Sequence, residues 1–340
     1  MLRYIGQLSK GVIFMEKLGE KILYLSRRDV ESLNISIPEV ISCLEMMFVE
    51  KSAGRVEMPP KPAIHTNGDA FLHAMPAYVP KIKSAGMKWV GGYPENFKKN
   101  LPYISGLLVL NDTETGMPYV VMDCAWITAI RTAAATALAA KYLARPESET
   151  LAILGFGIQG RYNLETISEI FKLIRVEVFD VLETAVESYR TDKGGRFDFD
   201  LQMVSSPKEA VKDADIVVTA GPFLMNPSPI IEFDWIKTGA FVCPLDLDSY
   251  VRPEVFLKSD ILCTDDTGQF AYFKESGLFQ SCPDDIADLG DIISGRMPGR
   301  KHADDVITSI NIGIALEDMA VAPLIYQKAL ASKTGVWLDL

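Results

Sequence analysis

One ten-residue stretch limits what this chain can fold into more than any other: Leu151–Gly160, which reads LAILGFGIQG. Leu151 to Leu154 has the character of a short buried strand, and RYNLETISEIFKL after it has the periodicity of an amphipathic helix. Gly155, Gly157 and Gly160 supply G-x-G-x-x-G at the turn between the two. The next strand, VEVFDV, carries Asp180 at its end, 20 residues after Gly160. Strand, glycine turn, helix and distal acid together form the context that a dinucleotide fingerprint demands. Gly155 allows the tight turn, and Gly157 lets the backbone around Ile158 and Gln159 approach a pyrophosphate. Gly160 permits close packing of helix on strand, and the positive end of the helix meets the phosphates. Asp180 can accept hydrogen bonds from both ribose hydroxyls and would repel a 2′-phosphate. No Arg or Lys follows it in VLETAVE, so the expected cofactor is NAD, not NADP. The plain alternative is a tight turn whose glycines serve packing alone.

The rest of the chain is organised around this unit. LQMVSS, DIVVTA, AFVCPL and DILCTDD read as four further short apolar strands, an alternation that argues for a parallel sheet with helices on its faces. Thr219, next to last in DIVVTA, joins the expected cofactor-binding residues. Upstream, the first 14 residues read as an extension and Ile22 to Leu25 as a strand. Ser26 opens a helix with Asp29 in a capping arrangement. Val40, Ile41, Leu44, Met47 and Phe48 fall on one face of a helix from Ile37 to Ser52. From Gly54 to Tyr119, prolines punctuate short β-rich runs, which implies a mostly antiparallel sheet with a hairpin turn from Asn111-Asp112 to Gly116. Thr128 to Leu143 is an alanine-rich helix suited to close packing. Residues 308–330 read as one long helical stretch that returns to the first domain.

Composition narrows the function classes. The chain has 340 residues, 45 acidic against 34 basic, a formal charge of −11. Such a surface repels phosphate backbones, and the basic residues cluster no further than pairs such as Lys98-Lys99, which reads as a solvated turn; no nucleic-acid partner is expected. The apolar stretch Ile216 to Ile231 spans 16 residues and contains Pro222, Pro227 and Pro229. A membrane helix needs about 20 apolar residues, so no membrane role is expected. The N-terminus lacks a signal peptide's apolar region and cleavage site, and five widely spaced cysteines without CxxC fit reduced thiols in the cytoplasm. The three histidines, His65, His73 and His302, have no metal-ligand spacing, and no metal is expected.

From about Ile22 to its end, the chain resembles the ornithine cyclodeaminase/mu-crystallin family. The segments that carry the match are AMPAY at 74–78, GMKWVGGYPEN at 86–96 and LVLNDTETGMPYVVMD at 108–123. ITAIRTAAATALAAKYLA at 127–144, LGFGIQG at 154–160 and GRK…IALED at 299–318 extend it. The resemblance implies an α/β fold: a Rossmann NAD-binding domain plus a discontinuous α+β substrate-binding and dimerisation domain. The expected boundaries are 129–307 for the former, and 1–128 with 308–340 for the latter. It also implies a homodimer acting on a small amino-acid or imino-acid substrate, with hydride transfer between Cα and NAD. An alanine-dehydrogenase-like activity is the first expectation. An ammonia-releasing ornithine cyclodeaminase, and a mu-crystallin-like binding protein or imine reductase, are the alternatives.

The family's functional positions map one at a time. Its G-x-K-x-V lysine matches Lys88, implied to bind the substrate carboxylate or assist proton transfer. The arginine of RTAA matches Arg131, a bidentate partner for a carboxylate, with Thr132 beside it on the cofactor. The catalytic aspartate falls in FVCPLDLDSY, where Asp248 fits best by counting from Gly239 and Asp246 is the alternative. Two departures bear on the substrate. Lys61 follows Pro59-Pro60 where cyclodeaminases have an arginine, which keeps the charge but not the fork geometry. His73 stands where ornithine-specific members have a glutamate, and histidine offers no carboxylate to a distal amine. Lys61 and His73 are therefore counted with the substrate-binding residues.

Overall fold

The computed structural model describes residues 18–194, 197–224 and 227–340; the expected 14-residue extension and its junction with the chain lie outside them. The chain divides into two compact units. One holds the chain up to Ser36, Ala53–Thr128 and Ala315–Leu340, and the other holds Ile37–Ser52 and Ala129–Ile314.

The first unit is built on a seven-stranded sheet of β1 (Lys21–Leu25), β2 (Ala63–His65), β3 (Phe71–Val79), β4 (Ser84–Gly92), β5 (Ile104–Asn111), β6 (Pro118–Asp123) and β15 (Val336–Asp339), ordered β15-β1-β6-β5-β4-β3-β2. Every pairing is antiparallel except β1 with β6, as the proline-punctuated strand pattern led us to expect. Cross-strand partners share a face, and the two faces differ sharply. The row Met75–Lys88–Leu108–Met122–Leu25 is buried throughout. The helix Ala315–Ser332 covers that face along β3 and β4, tied by the Ser84 hydroxyl donating to the Met319 carbonyl at 2.7 Å. The opposite face presents Tyr24, Met87, Trp89, Leu107, Val336 and Leu338, all more than a third exposed. The helix Arg27–Ser32 starts on the expected capping box between Ser26 and Asp29.

The second unit is an eight-stranded, wholly parallel sheet of β7 (Thr150–Leu154), β8 (Arg175–Phe179), β9 (Asp200–Met203), β10 (Ile216–Thr219), β11 (Phe241–Pro244), β12 (Ile261–Thr264), β13 (Ala287–Asp288) and β14 (Ile307–Ile310). Its order is β13-β12-β14-β11-β10-β7-β8-β9. β7 and β10 are neighbours, with β8 on the far side of β7 and β11 on the far side of β10, so strand order reverses beside the glycine turn. Such a switch point opens a crevice at the carboxyl ends of the strands. The opposite edge is tied by Asp215, just before β10. It accepts from Arg145 at 2.5 Å, Lys237 at 2.6 Å and the Thr150 hydroxyl at 2.8 Å. These donors outweigh burial and hold its carboxyl far below the usual carboxylate range.

Two expectations need correction. Residues 308–330 are not one helix: β14 comes first, then a turn at Gly313, then the helix Ala315–Ser332. β14 lies between β11 and β12 and is buried on both faces. It therefore has no alternation to betray it, and a short apolar run of that kind cannot be told from a buried helix by periodicity. The helix Ile37–Ser52 is present with its expected buried face, but it belongs to the second unit. There it packs on the helix Leu289–Ile293 and holds Lys141 and the Tyr142 hydroxyl through Glu45. Lys51 at its end pairs with both Asp266 and Asp288.

Candidate functional site

In the second unit the glycine turn adopts the geometry its residues imply. Gly155 has φ +92°, and a Cβ there would lie 2.7 Å from the Ala220 carbonyl oxygen, so only glycine fits. A Cβ on Gly160 would lie 2.2 Å from the Gly155 carbonyl oxygen. A Cβ on Gly157 would meet nothing within 4 Å. The first and third glycines thus serve the protein's own packing, while the second leaves open space at the start of the helix Ile158–Ser168. That helix has no acidic residue in its first turn, so its positive end is left for an anion. Ile158 is exposed and Gln159 is half-buried on the same turn.

Asp180 follows β8 and accepts from the Phe156 amide at 2.5 Å and the Leu182 amide at 2.8 Å. It is built into the glycine turn, and each carboxylate oxygen keeps a second acceptor position. The Phe156 ring is buried edge-on to Tyr189, with the Arg161 guanidinium over both rings. Thr132 lies on the helix Ala125–Leu143, which the Thr166 hydroxyl ties to the helix after the glycine turn by donating to the Ala133 carbonyl at 3.0 Å.

Beyond β10 and β11 the same edge carries two carboxylates. Asp246 is 1% exposed and accepts from the Thr219 hydroxyl at 2.7 Å and the Gly221 amide at 3.1 Å. The Thr219 hydroxyl is thus committed to Asp246. Burial pushes the Asp246 carboxyl up to about 7, a rise that these hydrogen bonds moderate and the neighbouring Asp248 charge assists. Asp248 accepts from the Phe279 amide at 2.8 Å through one oxygen, while its other oxygen is buried without a donor. Leu247 between them has φ +62°, a left-handed conformation that costs a leucine about 1–3 kcal/mol and is typical of functional loops.

The Arg131 guanidinium lies against Gly313, 2.5 Å from where a Cβ would stand. The Gly313 amide donates to buried Asp265, just after β12, at 2.6 Å. The glycine turn, Asp180, Thr219, Asp246, Asp248 and Arg131 therefore gather along the carboxyl edge of one parallel sheet, where ligands bind in such folds. Asp265 and Tyr250, whose ring packs against Gly221, were not anticipated. The acid-ended strand DILCTDD and the Tyr in LDLDSY were their only signals.

In the first unit, Lys88 stands in mid-β4 with 0% of its side chain exposed. Its ammonium donates to Asp318 at 2.8 Å and to the Thr128 hydroxyl at 3.3 Å. Sequence reasoning missed Asp318, although an acidic pair inside the apolar run IALEDMAVAPLI was a visible anomaly. His73 shares the sheet face with Lys88 and stacks on Phe71 at 4.4 Å between ring centres. Burial, then the nearby positive charges of Lys61, His65 and Lys88, push the His73 imidazole down to about 3, so it is neutral at physiological pH. Lys61 is 7% exposed. Lys61 and Lys88 thus set positive charge beside a neutral His73, and Asp318 meets the Lys88 charge. Among the described residues, no group of His, Cys, Asp and Glu side chains is placed to hold a metal ion, and no helix is long and apolar enough to cross a membrane.

Comparisons with known proteins bear on this arrangement. A family profile described as the ornithine cyclodeaminase/mu-crystallin family matches residues 20–333. The chain is 34% identical over 310 residues to the nodulation efficiency protein NfeD of Rhizobium meliloti, covering 91% of this chain and 95% of that protein. Among solved structures, it resembles the Delta(1)-pyrroline-2-carboxylate reductase of Thermococcus litoralis in complex with NADH and L-proline. The TM-score is 0.84 and the identity 30%, over 93% of this chain and 99% of the other. It likewise resembles an archaeal alanine dehydrogenase dimer with bound NAD, at a TM-score of 0.80 and 31% identity over 94% of this chain and 99% of the other.

Proposed function

The chain belongs to the ornithine cyclodeaminase/mu-crystallin family, and on that premise we propose that it is an NAD-dependent oxidoreductase acting at the Cα of a small L-amino acid or its imine. The observation that carries this reading is the carboxyl edge of the parallel sheet. There an open glycine turn with a distal acid sits beside a buried carboxylate poised near neutral pH. NAD is the cofactor, and when bound it would supply the acceptor or donor for the hydride exchanged with Cα. Gly155, Gly157 and Gly160 with the amides of Ile158 and Gln159 cradle the pyrophosphate, Asp180 takes the ribose hydroxyls, and Thr132 contacts the cofactor.

In the first unit Lys88 takes the substrate α-carboxylate, Lys61 adds charge, and His73 offers one donor and one acceptor to the rest of the substrate; in the second unit Arg131 is the carboxylate-binding arginine. Clamping the carboxylate also fixes Cα, and positioning of this kind supplies much of an enzyme's rate gain. One carboxylate after β11 takes the amine proton and activates water against the imine. Counting along the chain favours Asp248. The geometry favours Asp246, which touches Thr219 and Gly221 beside the glycine turn and titrates near 7.

The test is absorbance of NADH with NAD and a panel of L-amino acids, with ammonia assayed in parallel. NADH rising with ammonia supports the reading and names the substrate. Ammonia without net NADH makes the protein a cyclodeaminase, and silence in both channels, with the imines also refused, sinks the reading.

The exposed face of the first unit's sheet supports a homodimer. Six large apolar side chains, each more than a third exposed on one sheet face, mark an interaction surface. A second copy of the same face covers them with twofold symmetry. Trp89→Glu is expected to convert the dimer to monomer in size-exclusion chromatography with light scattering. A wild-type monomer would rule the dimer out.

A further inference from the structure

The buried pair of Lys88 and Asp318 asks for an explanation that packing does not provide. Both side chains are 0% exposed. Lys88 sits between Met75 and Leu108 on the covered sheet face, where an apolar residue would serve the core at least as well. Replacing a buried ion pair by well-packed apolar residues is commonly neutral or stabilising. Stability alone therefore does not account for a lysine here, nor for the aspartate that meets it.

The geometry is that of a clamp. Both Asp318 oxygens approach the Lys88 ammonium, at 2.8 and 2.7 Å. Asp318 lies in the first turn of the helix Ala315–Ser332. The next residue, Met319, accepts through its carbonyl from Ser84, the first residue of the strand that carries Lys88. A direct bond between helix and strand thus sets where Asp318 stands relative to Lys88. Thr128 holds the ammonium from a second direction, at 3.3 Å. A lysine chain is long and flexible, and a buried ammonium without a counter-charge favours its neutral form. Asp318 opposes both tendencies.

We propose that Asp318 is a positioning residue for Lys88, keeping the ammonium charged and fixed in place so that the substrate carboxylate meets a preorganised cation. The proposal rests on the carboxylate-binding role given to Lys88 above. It adds a residue that acts through Lys88 and does not itself touch substrate or cofactor.

The experiment is a double-mutant cycle on the full chain with K88Q, D318N and the double variant, reading kcat/KM across pH and NADH affinity. K88Q is expected to lower kcat/KM by about 100-fold, the scale of losing a charge-assisted contact. A K88Q protein with full activity removes the role given to Lys88, and that failure is seen in the single variant alone. D318N is expected to lower kcat/KM by about tenfold or more and to introduce a fall with rising pH in a range where the wild type is flat, because Lys88 then sheds its proton within reach of the assay. In the K88Q background, D318N is expected to cost nothing further, and NADH affinity is expected to stay unchanged throughout. A D318N pH profile parallel to the wild type, with losses that multiply in the double variant, overturns the proposal. D318E, which keeps the charge and therefore the fold where D318N loses it, is expected to restore the wild-type pH profile with a raised KM; a D318E protein showing the wild-type KM overturns the positioning role.

Discussion

Asp246→Asn is expected to lower kcat/KM by about 10²–10⁴-fold, the usual contribution of a positioned acid or base, with a smaller loss for Asp248→Asn. Asp246 is buried, bonded to Thr219 and Gly221, and pushed up to about 7. A carboxyl titrating there exists in both forms near neutral pH. In the oxidative direction the charged form is needed to accept the amine proton, so kcat/KM rises with pH up to about 7 and then levels. In the reductive direction the protonated form is needed and the dependence is inverted. Both ionisations should vanish in the Asn variant.

The same group separates chemistry from folding. Its folded-state pKa lies above the unfolded value of about 3.9. The stability it contributes is therefore fully present below pH 4 and is lost as pH rises through about 7. At pH 8 the Asn variant carries no buried charge and is expected to melt no lower than the wild type. A stable, fully active Asp246→Asn protein would return the proton step to Asp248.

What was legible in the sequence follows from how local each signal is. The glycine turn, the capping box at Ser26 and the buried face of Ile37–Ser52 are written in residues a few positions apart, and all three form as expected. β14 escaped because a strand buried on both faces shows no alternation, although the run Ile307-Thr308-Ser309-Ile310 ahead of Gly313 carried the β-branched residues and the breaker that mark a strand end. β15 was missed because its pairing with β1 joins Tyr24 to Val336, which no local pattern records. Asp318 was missed for the same reason. Its meaning lies in Lys88, 230 residues away, and an acidic pair on an apolar helix does not name its partner. Lys88 and Arg131 were found another way, through the resemblance carried by GMKWV and RTAA, which locates a residue without naming its partner.

The largest effect on cofactor binding is expected from Gly157→Val, and its contrast with Gly160→Val tests the assignment of the turn. A side chain at 160 would collide with the Gly155 carbonyl oxygen, which lies 2.2 Å from the Cβ position, and with Ile153 at 3.1 Å. Backbone cannot yield there without moving strand and helix apart, so Gly160→Val is expected to lose both stability and NAD binding. A side chain at 157 meets no protein atom within 4 Å. The residue is the N-cap of the helix in an extended conformation that valine also adopts. Replacing a glycine cap with valine costs about 1 kcal/mol, a shift in Tm of a few degrees. The new methyl groups, however, occupy the space a pyrophosphate needs against the helix amides. NADH affinity, read by fluorescence titration, is expected to fall by about 100-fold or more, on the scale of about 3 kcal/mol for losing those contacts. A folded Gly157→Val protein that binds NADH like the wild type would mean the open space beside Gly157 is not where the phosphates lie.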